Sequence, residues 1–356
     1  MLDITAYTKR IAKPDEESIE SARLLQDSLT KPRGSLGRLE TISIKLAGIY
    51  RMPRPRIGKK VVFTMASDHG VTAESVSAYP SKVTEQMVLN FARGGAAINV
   101  LARFAGAEVK VVDMGVASDI EWPSCVINRK IAKGTKNMTR GPAMSKEETL
   151  RALYVGSQLA TETIDTGVNA IAIGDMGIGN TTAASAITAV ITGHPVKSVT
   201  GRGTGIDDFT LDAKVRAIGQ AIKVNSPNPK NGVDVLSKVG GFEIAGMAGV
   251  ALEAASRGVP VFLDGFVSGS AALIAGTICP DSSEYMIASH ISAEPGHRYA
   301  LEHLKLDPIL DLGMRLGEGT GAALAFMIAE ASCKILSEMT TFECANVSRS
   351  HKEIRE

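Results

Sequence analysis

An alternation constrains this chain more than any other feature. The short runs 61–66, 109–113, 170–173, 259–263 and 285–288 are apolar and rich in β-branched residues, as strands covered on both faces must be. Between them, segments 83–104, 146–165, 181–192, 211–224 and 243–256 place their apolar residues at helical spacing. Strand and helix in turn predict an α/β fold with a doubly wound, mostly parallel sheet.

The residues just after each strand point to a site. The runs lead into Ser67-Asp-His-Gly70, Met114-Gly-Val, Gly174-Asp-Met-Gly-Ile-Gly-Asn-Thr-Thr182, Asp264-Gly-Phe-Val-Ser-Gly269 and Ser289-His-Ile-Ser292. Open α/β sheets bind ligands at the carboxyl ends of their strands, so one crevice should collect most of these residues. A further stretch, Leu316-Gly-Glu-Gly-Thr-Gly321, frames a single carboxylate, Glu318, with glycines ahead of an Ala-rich helix. Glycines there permit φ > 0 and a close ligand approach. Glu318 is either a reactive group on a tight turn or an electrostatic cap for that helix.

The two chain ends read differently from the middle. Helical spacing over 16–28 and 39–50 is interrupted by Lys31-Pro-Arg-Gly-Ser-Leu-Gly-Arg38. Two such helices cannot bury both their apolar faces alone, so they are expected to pack on the helix beyond residue 322. The expected division is 1–58 and 321–356 as a small helical domain, with 59–320 as the large domain holding the site. Hydrophobic residues are 44% of the 356 but aromatics only 4%, so cores must be built from aliphatic side chains and Met. A balance of 39 basic against 38 acidic residues, net +1, argues against nucleic acid as a partner. Cysteines 125, 279, 333 and 344 show no CxxC spacing and no grouping with the six histidines, so free thiols and no metal site are expected. An N-terminus without an apolar core, and no uncharged apolar run of ~18 residues, fit a cytoplasmic protein with no membrane span.

Two glycine loops suit an anion. In 174–182, Gly177 and Gly179 would allow a nest of backbone N–H groups, and Asn180, Thr181 and Thr182 can cap the next helix or donate to phosphate. Thr200-Gly-Arg-Gly-Thr-Gly-Ile-Asp-Asp208 is followed by Lys214; glycine N–H groups plus one ammonium make a monophosphate site, although Lys214 taken alone also reads as a solvated lysine. Neither loop is a GxxxxGK[ST] or GxGxxG. Asp207-Asp208 lacks the setting of a magnesium diphosphate motif. Asp68-His69 is either an acid/base pair or a structural histidine. GxSxG and HExxH are absent from the sequence.

The motifs Lys31-Pro-Arg-Gly-Ser-Leu-Gly-Arg-Leu-Glu40, Ser67-Asp-His-Gly-Val71, Tyr79-Pro-x-x-Val-Thr-x-Gln-Met87, Arg93-Gly-Gly-Ala-Ala-Ile-Asn99, 174–182, Leu263-Asp-Gly-Phe266 and Leu316-Gly-Glu-Gly-Thr-Gly321, in that order, resemble the nicotinate-nucleotide:dimethylbenzimidazole phosphoribosyltransferases. The resemblance spans nearly the whole chain. It implies a homodimer with a Rossmann-like large domain and a helical small domain from both termini. It also implies a small-molecule reaction without cofactor. Nicotinate mononucleotide brings its own cationic pyridinium leaving group, so neither diphosphate nor magnesium is required.

By that resemblance Glu318 is the general base that takes a proton from the attacking benzimidazole, and attack from the face opposite nicotinate turns a β bond into an α bond. Phosphate and ribose binding is carried onto Gly177, Gly179, Asn180, Thr181, Gly203, Lys214 and Ser292. The base pocket falls on Tyr79, Pro80, Gln86, Met87, Asp175 and Leu316. Asp175 departs from the family, which often has Glu there, so a supporting carboxylate would be one methylene shorter. Two other readings stay open: another azole, purine or phenolic acceptor, and a non-catalytic nucleotide sensor.

Overall fold

The structure is a computed structural model that describes residues 9–348. Six strands, β1 (Lys59–Ser67), β2 (Ala107–Gly115), β3 (Val126–Asn128), β4 (Val168–Met176), β5 (Val261–Leu263) and β6 (Met286–Ala288), form one sheet. Every pairing is parallel, in the order β3-β2-β1-β4-β5-β6. The sheet is buried on both sides with a period of two. Val61, Phe63, Met65, Ile171, Ile173, Val261 and Leu263 belong to one core; Val62, Ala66, Ala170, Ala172 and Phe262 belong to the other. The order reverses between β1 and β4, where such sheets open a crevice.

The helices in chain order are α1 (Glu16–Ser28), α2 (Arg38–Tyr50), α3 (Lys82–Ala92), α4 (Ala97–Phe104), α5 (Lys146–Ile164), α6 (Asn180–Thr192), α7 (Val196–Val199), α8 (Asp208–Asn225), α9 (Gly232–Val239), α10 (Phe242–Ser256), α11 (Phe266–Ile278), α12 (Pro295–Leu304) and α13 (Thr320–Glu338). Segment 83–104, expected as one helical stretch, is two helices. Gly94, at φ +76, breaks it, and α4 then starts with Asn99 Oδ1 accepting the Ala96 N–H at 3.1 Å. That break creates a second helix N-terminus, which the site uses.

Helix α13 is long and apolar enough to cross a membrane by length and composition alone, but here it packs into the fold. Its first turns join the sheet core, where Phe326 meets Phe262 edge-on with ring centroids 4.7 Å apart. Farther along, Leu336 closes a small separate cluster with Ala22 of α1 and Ala47 of α2, and Leu29 bridges to Thr341.

Candidate active site

A cavity of about 310 Å³ opens at the carboxyl ends of β4, β5 and β6. The ends of β1 and β2, expected there too, turn away into local bonds. Asp68 Oδ2 accepts the Ala117 N–H at 2.8 Å, and Asp113 accepts from Val116 N and Trp122 Nε1. His69 bonds Glu243 at 2.7 Å rather than Asp68. Burial acts to lower its pKa, but the charge and hydrogen bond of Glu243, with Asp68, leave it raised. It lies behind Gly179 and not on the cavity wall.

The inner wall is the loop after β4. Gly177, Gly179, Asn180 and Thr181 all line the cavity, and α6 begins there without a side-chain cap. The residues that could have capped it are engaged elsewhere or left alone. Asn180 Nδ2 donates to Asp175 Oδ2 at 2.7 Å, Thr181 Oγ1 accepts from Lys214 Nζ at 2.8 Å, and Thr182 Oγ1 is buried without a partner among the described residues. The helix N-terminus is therefore open toward the cavity, a setting that favours an anion.

The second glycine loop closes on the first. Gly203 has φ +52, and a Cβ there would lie 2.8 Å from Thr181 Oγ1 and 3.3 Å from Lys214 Nζ, so only glycine brings its backbone this close to the ammonium. Lys214 is buried rather than solvated; burial, partly offset by Glu294, lowers its pKa to about 8. Glu294 Oε1 accepts the Gly203 N–H at 2.8 Å, and Arg315 donates to the Gly203 carbonyl at 2.7 Å. Ser292 also lines the cavity, its N–H donating to His297 Nδ1 at 2.9 Å. Burial and His290 hold His297 neutral down to about pH 3, so this acceptor stays available.

Glu318 lies just behind this wall. It is 4% exposed and has φ +65, a left-handed backbone in a non-glycine residue, strain of the kind that collects at functional turns. Its own loop is pinned: Thr64 Oγ1 donates to its carbonyl, and its N–H donates to the Asp175 carbonyl at 3.1 Å. It does not cap α13. Asp264 does so, accepting from Gly319, Gly321 and Ala322 N–H groups at 3.0, 2.7 and 3.2 Å. The Glu318 carboxylate instead takes the Ile98 N–H at the start of α4 through Oε2, at 3.3 Å. Oε1 has no hydrogen bond among the described residues. Burial raises the Glu318 pKa, the Ile98 N–H opposes this, and Asp264 adds to it.

A family profile described as Phosphoribosyltransferase matches residues 11–347. The chain is 55% identical over 345 residues to a nicotinate-nucleotide–dimethylbenzimidazole phosphoribosyltransferase from Chloroflexus aggregans, covering 97% of this chain and 98% of that one. It is 56% identical over 348 residues to the protein of the same name from Chloroflexus aurantiacus, with 98% and 99% covered. The solved structure of CobT from Thermus thermophilus superposes with a TM-score of 0.91 at 45% identity, covering 94% of this chain and 100% of that one. The chain belongs to the nicotinate-nucleotide:dimethylbenzimidazole phosphoribosyltransferase family.

Among the positions matched to this phosphoribosyltransferase family, Tyr79, Asp175, Gly177, Gly179, Asn180, Thr181, Gly203, Ser292 and Leu316 line the cavity. Lys214 and Glu318 stand immediately behind it, one beside Gly203 and one after Gly317. Pro80, Gln86 and Met87 are not on the wall; Met87 packs against the core on the α13 side of the sheet. Arg315 and Glu294 on the wall and His297 behind Ser292 were not singled out from the sequence, and His290 was read only within the stretch Ser289-His-Ile-Ser292. Asp175 is 8% exposed, and its pKa is raised to about 8, first by burial, then by Asp264 and Glu243.

Proposed function

We propose that this phosphoribosyltransferase moves the 5-phosphoribosyl group from nicotinate mononucleotide to 5,6-dimethylbenzimidazole, giving α-ribazole 5′-phosphate and nicotinate for cobalamin nucleotide-loop assembly. The names of its relatives support the reaction. The observation that carries the mechanism is Glu318: a strained, buried carboxylate with one oxygen unbonded among the described residues, behind a cavity whose inner wall carries the uncapped N-terminus of α6. The 5′-phosphate would sit on the Gly177–Thr181 and Gly203 backbone with Lys214 as counter-charge, and Ser292 beside the ribose. One benzimidazole nitrogen attacks C1′ while the C1′–pyridinium bond breaks, and that electron pair leaves with nicotinate. The proton on the other ring nitrogen passes to Glu318. Burial, which raises the Glu318 pKa, makes it a stronger base than a solvated carboxylate. Attack opposite the leaving group inverts C1′.

Tyr79 and Leu316, both exposed side chains on the cavity wall, would face the acceptor base. A homodimer in the cytoplasm is part of the proposal. The test is a chromatographic assay of purified protein with nicotinate mononucleotide and 5,6-dimethylbenzimidazole and no added metal. Nicotinate and α-ribazole phosphate should appear in equal amounts. Mononucleotide bound but not consumed with any azole, purine or phenol would replace the enzyme by a sensor.

A further inference from the structure

Arg315 is the only arginine or lysine among the described residues lining the cavity, which also holds Asp175 and Glu294. Neither carboxylate pairs with it. Asp175 is bonded to Asn180, and Glu294 is turned to the Gly203 N–H. Arg315 spends one N–H on the Gly203 carbonyl at 2.7 Å, and among the described residues it makes no ion pair. Its guanidinium is therefore held in place on the exposed rim with most of its donors unspent.

The substrate proposed above carries two anionic groups. Its phosphate already has the α6 N-terminus, the Gly203 loop and buried Lys214. The other is the carboxylate on the pyridine ring, which lies one ring width from the reacting carbon. Arg315 precedes Glu318 by three residues on the same pinned loop and touches the phosphate loop, so a group bound to it stands within one substrate length of both. A planar guanidinium fork matches a planar carboxylate in a way that no amide of the same shape can repeat. We propose that Arg315 recognises the ring carboxylate of the donor, so that the enzyme distinguishes a pyridine-acid mononucleotide from the corresponding amide.

The inference rests on the transferase reading, and the experiment separates the two. kcat/KM is measured for nicotinate mononucleotide and nicotinamide mononucleotide with wild type, Arg315→Gln and Arg315→Lys. Wild type should favour the acid by roughly 10- to 100-fold, the scale of one charge-assisted hydrogen bond. In Arg315→Gln the preference should shrink to about 3-fold or less, because the acid loses more than the amide does, and Arg315→Lys should recover part of it. If Arg315→Gln instead slows both donors equally and weakens inhibition by inorganic phosphate, Arg315 serves the phosphate and the inference is overturned. An unchanged ratio overturns it too. A wild type that consumes neither donor removes the transferase reading, and this inference with it.

Discussion

At residue scale, Asp175 keeps its proton to about pH 8, because burial, then Asp264, Glu243 and Glu318 oppose its charge, while only Asn180 favours it. The ordinary value is 3.8, so the folded chain binds this proton more tightly than the unfolded one. Its contribution to stability is complete below about pH 4 and is lost as pH rises through about 8. Asp175→Asn mimics the protonated acid and keeps an acceptor for Asn180. In thermal unfolding from pH 5 to 9, wild type should lose more of its Tm than the Asn variant; parallel curves would show that Asp175 is ionised in the fold. In the sequence Asp175 was visible as a base-pocket residue and as a carboxylate one methylene shorter than the family's usual Glu. Glu294 and Arg315 were not visible as site residues, because their partner Gly203 is 91 and 112 positions away. A Glu before Pro295 reads as a helix start, and an Arg between Met314 and Leu316 reads as a solvated side chain.

Among the elements, β4 and the Glu318 turn are the pair whose contact matters most. A Cβ on Gly174 would lie 2.1 Å from Gly319 N and 2.4 Å from the Glu318 carbonyl carbon. Those are backbone atoms, so the turn itself must move. Gly174→Ala should lower kcat by about 100-fold, the usual cost of misplacing a reacting group by about an ångström, and lower Tm as well. Steady-state kinetics beside a melting curve check this, and an unchanged kcat would mean that the turn tolerates displacement. Strands β1, β2, β4, β5 and β6 were legible, the last two with only three residues each, because their apolar runs are bounded by turn residues. Strand β3, three residues on the sheet edge, was not. Helices α9 and α12 were also missed, as was α11, whose residues Phe266 to Ala275 are all buried, leaving no polar face to show a period.

For the whole molecule, we propose that 1–58 and 321–356 act as one helical unit; residues 1–8 and 349–356 of it lie outside the described part. The Ala22, Ala47 and Leu336 cluster supports that unit, while Phe326 ties the first turns of α13 to the sheet. Helix α13 thus continues from the Glu318 turn through the sheet core to the helices of the chain's other end. The order of the motifs let the fold and family be read from sequence. The direction in which each carboxylate points was not readable, since Asp264 caps α13 and thereby leaves Glu318 to the Ile98 N–H.

The measurement that bears most directly on this account is made on Glu318→Gln. Its amide oxygen can keep the Ile98 N–H bond, but it cannot take the benzimidazole proton. Turnover should fall by about 10²- to 10⁴-fold, while calorimetry gives a Kd for nicotinate mononucleotide within about 3-fold of wild type, consistent with phosphate binding that does not involve this carboxylate. A Gln variant that binds the mononucleotide and turns over at a rate close to wild type would show that Glu318 is not the base.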